Sequence, residues 1–206
     1  DALQKQQVRL IGFDVVFSEA ELNPVSQVLA SGQLSEATAT ELQPLVAQLD
    51  GDSQFAKVIS KNTVLGYFLH NSGGIHVGEL PAPILRIDSK DKNKLSMNFM
   101  PDYTGNLPMF AKTVVGAGFV TTLPDVDGVM RRSPLVLRYE DGLYSSLSLE
   151  LAKIYLNAPF VKLQTVKSGS QLRLESLSIG NTIIHTDESG VALIPYKGKG
   201  HSYPYI

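Results

Sequence analysis

Two runs of the chain are apolar on both faces of the strand that each would form. Residues 9–17 and 63–69 are rich in β-branched and aromatic side chains and lack the alternation of a half-exposed strand. This pattern is typical of strands that helices cover on each side of a sheet. Helix signals fill the segment between the two runs, which favours parallel pairing with a right-handed crossover.

Three helices are predicted in that segment, and each begins at a residue that can cap its first turn. Asn23 precedes Pro24, Ser35 precedes an amphipathic stretch, and Asp50 opens a turn before the third helix. Such side chains accept hydrogen bonds from the N–H groups of the first turn, and proline suits the first helical position. Pro44 lies inside the second helix, so we expect it either to kink that helix or to mark its first turn.

Residues 118–151 have the order strand, Asp-Gly turn, strand, second turn and helix. An Asp-Gly pair between two strands predicts a hairpin. The spacing at residues 125–128 also resembles the opening of a calcium loop, but the later oxygen ligands are missing, which favours the turn. Just upstream, residues 116–118 follow a short predicted helix over residues 107–115, and we interpret their glycines as its C-cap.

After Pro159 the pattern changes to alternation, with turn signals at residues 180–181 and 187–190. Alternation of this kind predicts an antiparallel meander with one face more exposed to solvent than the other. The predicted fold class is therefore α/β: a mixed, largely parallel central sheet flanked by helices, with a C-terminal antiparallel meander. No linker rich in Pro, Gly and Ser divides the chain, so we expect residues 1–206 to form one domain. The irregular residues 72–103 are the expected variable or partner-facing surface.

Composition excludes several classes of function. The 206 residues are 43% hydrophobic and 18% charged, which is typical of a globular chain. The net charge of −2 does not favour binding to nucleic acid. It has no cysteine, which removes disulfides, thiolate metal sites and cysteine nucleophiles. No apolar run in the sequence reaches the roughly 18–20 residues that a membrane-spanning helix needs.

Asp14 is the first candidate ligand-binding residue. It is predicted to lie buried in the first strand near its carboxyl end, the edge at which open α/β sheets bind ligands. A buried carboxylate needs a partner, so the alternative is a structural role against a backbone N–H or Arg131. Glu19, just beyond the strand, is a second candidate of the same kind.

Arg131 and Arg132 are the other candidates for ligand binding. Neighbours on a strand point to opposite faces, so one of the two arginines is expected to lie inward. An inward arginine needs a carboxylate, and Asp14 or Asp125 is the natural partner. The functional alternative is that this guanidinium binds an anionic ligand.

No residue pattern in the chain predicts catalysis, a metal or a cofactor. The four histidines lack metal-ligand spacing, and each is interpreted as a surface or turn residue. There is no nucleophile elbow and no phosphate-binding loop. We therefore expect no catalytic residue, no bound metal and no cofactor. The histidines are His70, His76, His185 and His201.

Several segments, in order along the chain, resemble the type-two CHASE domain, an extracytoplasmic sensory module found ahead of bacterial cyclases and sensor kinases. The most specific is the Asp-x-Asp-Gly-x-x-Arg-Arg-x-Pro-Leu core at residues 125–135, within GFVTTLPDVDGVMRRSPLVLRYEDGLYSSLSLEL at 118–151. The other segments are IGFDVVFSEAE at 11–21, the Asp-x-x-Phe-Ala helix start at 52–56, VLGYFL at 64–69 and IPYKG at 194–198.

The resemblance implies a non-enzymatic sensor that passes a ligand or partner signal to membrane helices outside this piece. The output would be a class III cyclase, a diguanylate cyclase, a histidine kinase or a protein kinase in the parent protein. Members usually begin with a further strand-helix unit carrying a Trp-Pro-Trp-like motif and end with a glycine-rich strand, whereas this chain has no tryptophan. We therefore expect a partial domain whose exposed strand edges pair in a homodimer.

Two other functions remain open at this stage. A hydrolase or transferase would use Asp14 or Glu19 as a base, in a pocket with a histidine such as His70 and an oxyanion donor. A solute-binding module without signalling would share the sensor's cleft but not its membrane connections. The sensor is the preferred interpretation, with an unknown small molecule or protein as its signal and a periplasmic or otherwise extracytoplasmic location.

Overall fold

The computed structural model describes residues 2–59, 62–73, 76–88, 90–91, 94–196 and 198. Five of the six described helices lie before residue 112, and strands dominate the rest of the described chain. The helices are α1 (Ala2–Lys5), α2 (Pro24–Ala30), α3 (Glu36–Gln48), α4 (Gly51–Val58), α5 (Pro108–Ala111) and α6 (Leu147–Tyr155).

Thirteen strands are present among the described residues. They are β1 (Ile11–Phe13), β2 (Thr63–His70), β3 (His76–Val77), β4 (Leu85–Arg86), β5 (Asp102–Thr104), β6 (Gly116–Phe119), β7 (Arg132–Pro134), β8 (Val136–Tyr139), β9 (Gly142–Ser145), β10 (Val161–Ser168), β11 (Gln171–Ile179), β12 (Thr182–His185) and β13 (Val191–Leu193).

Strand β2 is the centre of the main sheet. It pairs in parallel with β1 on one side and with β6 on the other, and its last residues pair antiparallel with β5. Strand β3 extends this sheet by parallel pairing with β5. The mixed α/β architecture and the parallel pairing of the two apolar runs are therefore confirmed.

The first apolar run forms a much shorter strand than predicted. Only Ile11–Phe13 pair with β2, and Asp14 lies one residue beyond the strand with its surface exposed. The prediction that Asp14 is buried inside this strand is wrong. The physical reason is that residues 14–17 leave the sheet, and the carbonyl of Phe17 instead accepts a hydrogen bond from Leu107 N.

The helix starts follow the capping residues. The side chains of Asn23, Ser35 and Asp50 accept hydrogen bonds from the first-turn N–H groups of α2, α3 and α4, as predicted. Pro44 stands inside α3, so it does not mark the first turn of that helix. Ser146 caps α6 in the same way.

The two glycines at residues 116 and 118 form part of a strand, not a helix cap. Strand β6 contains both, and Gly116 pairs with Val64 of β2. A Cβ on Gly118 would lie 2.5 Å from the backbone of Leu147, and one on Gly116 would lie 2.8 Å from Glu150 Oε1. The glycines are therefore needed because α6 packs directly on the backbone of β6.

The Asp-Gly turn is confirmed, but the predicted hairpin around it is not. Gly128 adopts a φ of +78°, and its N–H donates to the carbonyl of Asp125 at 2.8 Å. The strands before and after this turn pair elsewhere: β6 pairs with β2, and β7 pairs antiparallel with β13. A turn signal fixes a local reversal but not the partner of each strand.

The C-terminal meander is present as β10, β11 and β12, which pair antiparallel in chain order. The chain then turns at residues 187–190, where Gly190 has a φ of +81°. Instead of continuing the meander, β13 leaves it and pairs with β7, opposing Val191 to Pro134 and Leu193 to Arg132. This crossing brings β13 beside the Arg131-Arg132 pair.

Replacing Gly118 with alanine tests the contact between α6 and β6. The added Cβ would meet the backbone of Leu147 at 2.5 Å, and that backbone has no rotamer with which to move away. We expect Gly118→Ala to lower the free energy of unfolding by about 1–3 kcal/mol, measured by urea denaturation. Gly73→Ala is the matched control, because its Cβ would meet Asp102 Oδ2 at an ordinary 3.4 Å. Equal stability of the two variants would contradict the close contact.

Candidate ligand-binding clefts along strand β7

Three clefts lie along β7, and the first is at the carboxyl edge of the parallel strands. We call it the Asp14 crevice, and its volume is about 220 Å³. Strands β1 and β6 end here and α6 begins here, the arrangement that places ligand crevices in open α/β sheets. The lining residues are Asp14, Phe119, Val120, Thr121, Thr122, Ser133, Pro134, Ser146, Leu147 and Ser148.

Most hydroxyl groups of the Asp14 crevice are already engaged. Thr121 Oγ1 accepts from Leu69 N and donates to Leu69 O, both at 2.8 Å, so it continues the sheet. Ser146 Oγ accepts from Leu149 N at 3.2 Å and lies 3.0 Å from Ser148 Oγ. The exposed carboxylate of Asp14 shares the crevice with the start of α6, where negative charge is favourable.

Arg131 is held by two carboxylates of the Asp-Gly turn. Its Nη1 donates to Asp127 Oδ1 at 2.9 Å and to Asp125 Oδ2 at 3.2 Å, and its Nη2 lies 2.9 Å from Asp127 Oδ2. The hydrogen bond from Arg131, and then the one from Val129 N, hold the pKa of Asp127 below its ordinary value. The predicted pairing of an arginine with Asp125 is confirmed, whereas pairing with Asp14 is wrong.

Arg132 makes a much weaker contact. Its Nε lies 3.7 Å from Asp125 Oδ1, which is beyond hydrogen-bond distance. Its side chain is 55% exposed and that of Arg131 is 51% exposed, so the expectation that one arginine points inward is wrong. The reason is that β7 is a short strand that is open to solvent at Arg132. Pro134 is the one buried residue of this strand. Both arginines, with Asp125, Val126 and Asp127, line a second, open cleft of about 520 Å³.

The third cleft, which we call the β13 cleft, has a volume of about 640 Å³. It lies where the chain passes from β12 through the turn at residues 187–190 to β13, and Arg132 of β7 forms part of it. The lining residues are Arg132, His185, Thr186, Asp187, Val191 and Leu193.

The structure divides the predicted site residues among separate places. Asp14 lines the first cleft, Arg131 the second, and Arg132 the second and third. Glu19 is exposed and lines none of the three, and neither does any described residue between 72 and 103. Ligand binding by these residues stays a prediction.

The surroundings of Asp14 differ from those expected of an enzyme that uses an acidic side chain as its base. Histidine His70 lies on β2 and its Nε2 is 2.9 Å from Thr104 Oγ1, whereas the Asp14 crevice is lined by no histidine among the described residues. His201 lies outside the described residues. His76 is exposed and paired with Asp102 at 2.9 Å.

Sequence reasoning missed His185 and Asp187 as neighbours of Arg132. The turn at residues 187–190 was predictable from its Asp and Gly. The cleft exists only because β13 pairs with β7, and no local signal in the sequence marks that pairing. The alternation of residues 191–193 indicates a strand but does not indicate its partner.

Two absences among the described residues bear on the kind of site. No group of three or more His, Asp or Glu side chains in the described ranges could hold a metal ion. Within the same ranges, no helix has the length and apolar character needed to cross a membrane.

The structure is that of a mixed α/β domain with clefts along one short strand. The family model for the CHASE2 domain matches residues 1–206, so the chain belongs to the CHASE2 family. This is a family of extracellular sensory domains of signalling proteins, and the domain itself is not catalytic. No curated protein and no solved structure matches the chain.

Replacing Arg131 with glutamine tests the difference between the two arginines. The loss of its guanidinium removes the main cause that lowers the pKa of Asp127, so we expect that pKa to rise towards its ordinary value. A carboxyl ¹³C titration by NMR measures it. Because the folded-state pKa is lowered, the stabilisation from this pair is present at neutral pH and is lost as the pH falls through that pKa.

Arg132→Gln is the matched control for that titration. Its guanidinium contacts Asp125 only at 3.7 Å, so the pKa of Asp127 is expected to stay where it is. An equal shift in both variants would contradict the division of roles between the two arginines.

Proposed function

We propose that this chain is the extracytoplasmic sensory domain of a bacterial transmembrane signalling protein, with a nucleotide cyclase or a sensor kinase as the output domain. Membership of the CHASE2 family supports the sensory role. The observation that carries the proposal beyond the family is the position of β7. Each of the three clefts is lined by at least one residue of this strand: Arg132 lines the β13 cleft and the second cleft, and Ser133 and Pro134 line the Asp14 crevice.

Strand β7 offers a physical route from a bound ligand to the rest of the domain. Arg132 lies in the β13 cleft, while Ser133 and Pro134, the next two residues, line the Asp14 crevice beside the start of α6. A ligand that prefers one position of β7 therefore changes the crevice at the end of the parallel sheet. The ligand shifts the equilibrium between two conformations of the domain only by the difference in its affinity for those conformations.

The ligand-binding residues of this proposal are Arg132 and Asp14, which line two different clefts. Arg131 has a supporting role, because its ion pairs with Asp125 and Asp127 hold the turn that precedes β7. The signal itself is a small molecule or a protein. In the parent protein, membrane helices outside this chain would carry the change to the output domain.

Cysteine labelling in the parent protein tests the extracytoplasmic location. The chain contains no cysteine. In a parent protein that is otherwise free of cysteine, a single introduced thiol is therefore the one group that the reagent can label. Val126 is fully exposed in the Asp-Gly turn, and we expect Val126→Cys to react with a membrane-impermeant maleimide on intact cells. Leu137→Cys, with 0% exposure, is the control that should react only after denaturation. Reaction of Val126→Cys only after cell lysis would overturn the location.

We further propose that the domain forms a homodimer through an open strand edge. Strand β12 is the last strand of its sheet among the described residues, and its Ile183 is 58% exposed. An apolar edge strand with one unpaired side is a template for pairing with a second copy. A dimer would also give a sensor the symmetry that joint movement of two sets of membrane helices requires.

Sedimentation velocity tests this dimer with two lysine substitutions. Ile183→Lys places a charge on the edge of β12, and we expect it to raise the dissociation constant of the dimer at least about tenfold. Val28→Lys is the control, because Val28 is similarly apolar and 46% exposed but lies on α2. A wild-type chain that sediments as a monomer at high concentration would overturn the dimer. Disruption by Val28→Lys alone would overturn the choice of edge.

A further inference from the structure

The β13 cleft has the dimensions of a site for a small organic molecule. Its volume of about 640 Å³ falls within the range of roughly 300–1,000 Å³ that ligand pockets occupy. Its walls come from two separate units, the meander through His185 and Thr186 and the β7–β13 pair through Arg132, Val191 and Leu193. A molecule bound here would contact both units at once.

The cationic group of the cleft is available for a second partner. Arg132 has a side chain that is 55% exposed, and the one described carboxylate within 4.0 Å is Asp125 at 3.7 Å. Asp125 is itself engaged by Arg131 at 3.2 Å. A guanidinium in this position can form a bidentate pair with an incoming carboxylate.

The anionic group of the cleft is Asp187. Its Oδ1 accepts hydrogen bonds from Ser189 N at 2.9 Å and from Val191 N at 3.0 Å, which fixes the carboxylate in the turn. No basic side chain of the described residues forms an ion pair with it. Arg132 and Asp187 thus line one cleft with opposite charges but are not paired with each other.

The remaining wall of the cleft is apolar, with one polar group that has no partner. Leu193 is 77% exposed, and Val191 lies beside it on β13. Thr186 also lines the cleft, and its buried hydroxyl oxygen makes no hydrogen bond to any described residue. This oxygen is shielded from solvent, so it adds no accessible polar group to the apolar wall.

We propose that the β13 cleft binds a zwitterionic α-amino acid with an aliphatic side chain. The α-carboxylate pairs with Arg132, the α-ammonium group pairs with Asp187, and the side chain covers Leu193. This inference rests on the proposed sensory function and names the class of its ligand. Binding joins the meander to the β7–β13 pair, which is the movement that the sensor would transmit.

The charges of the cleft distinguish this ligand from two simpler ones. A plain carboxylate would satisfy Arg132 but would place its negative charge in the same cleft as Asp187. A phosphate ester carries more negative charge and would need further cations, whereas Arg132 is the one lysine or arginine among the described lining residues. An amino acid alone matches one positive group, one negative group and an apolar wall.

Isothermal titration calorimetry of the 206-residue chain tests the proposal with three probes that share the isobutyl group. L-leucine carries both charges, 4-methylpentanoate lacks the ammonium group, and 3-methylbutylamine lacks the carboxylate. We expect L-leucine to bind at least about tenfold more tightly than either analogue. Equal affinity for L-leucine and 4-methylpentanoate would overturn the role of Asp187.

Three variants connect the binding to named side chains. Arg132→Gln and Asp187→Asn are each expected to weaken leucine binding at least about tenfold, and the asparagine keeps an oxygen that can accept the turn's hydrogen bonds. Arg86→Gln is the control with unchanged affinity, because Arg86 is exposed, pairs with Asp141 at 3.1 Å and does not line this cleft. Circular dichroism and thermal melting check that each variant is folded. Unchanged affinity in Arg132→Gln and Asp187→Asn would overturn the assignment of the site.

The result separates the ligand from the sensory role. Failure of the wild-type chain to bind L-leucine overturns the ligand class, while the labelling of Val126→Cys in the parent still reports on the extracytoplasmic location. Binding together with labelling only after lysis would leave an amino-acid site in a domain on the other side of the membrane, and would overturn the sensor proposal instead.

Discussion

Helix α6 packs on the central sheet at glycines, which carry no side chain, and the layout of the domain follows from that contact. Gly12 of β1 and Gly116 of β6 flank Val64 of β2 in one row of the sheet. A Cβ at Gly12 would lie 2.7 Å from Leu151, and one at Gly118 would lie 2.5 Å from the backbone of Leu147. Side chains at these places would push the helix off the sheet.

The same contact explains a charged residue in the interior. Glu150 faces β6 from α6, and its side chain is 9% exposed. Lys153 Nζ lies 2.8 Å from its Oε1, and Ser145 Oγ donates to its Oε2 at 2.9 Å. A buried carboxylate is tolerated when it has such partners. Glycine in β6 leaves the room that this group occupies, so the packing and the ion pair depend on the same missing side chains.

The local features of the fold were predictable from the sequence, whereas the pairing of distant segments was not. Asn23, Ser35 and Asp50 cap helices because a short polar side chain reaches the first-turn N–H groups whatever lies elsewhere. The glycines at 116 and 118 show the limit of this reasoning. Glycine suits both a helix end and a close approach of backbones, and only the position of α6, a later segment, decides between the two.

The candidate site shows the same limit. Arg131 and Arg132 were identified from the sequence as a polar signal, but their different roles depend on the pairing of β7 with β13. That pairing turns Arg131 towards Asp125 and Asp127 and leaves Arg132 beside His185 and Asp187. Asp14 was expected inside a strand because the run of residues 9–17 carries apolar side chains on both faces, yet the sheet uses only Ile11–Phe13.

The shortness of the β7–β13 ladder is itself a reason to place the moving part of a sensor there. It joins three residue pairs, whereas β10 and β11 pair over eight and β2 lies at the centre of the main sheet. Elements with few pairs and exposed side chains open at lower free energy than the core around them. A ligand can change the position of such an element by as much as its affinities for the two positions differ. The central sheet and α6, which pack without room to adjust, would then carry the change as a rigid body.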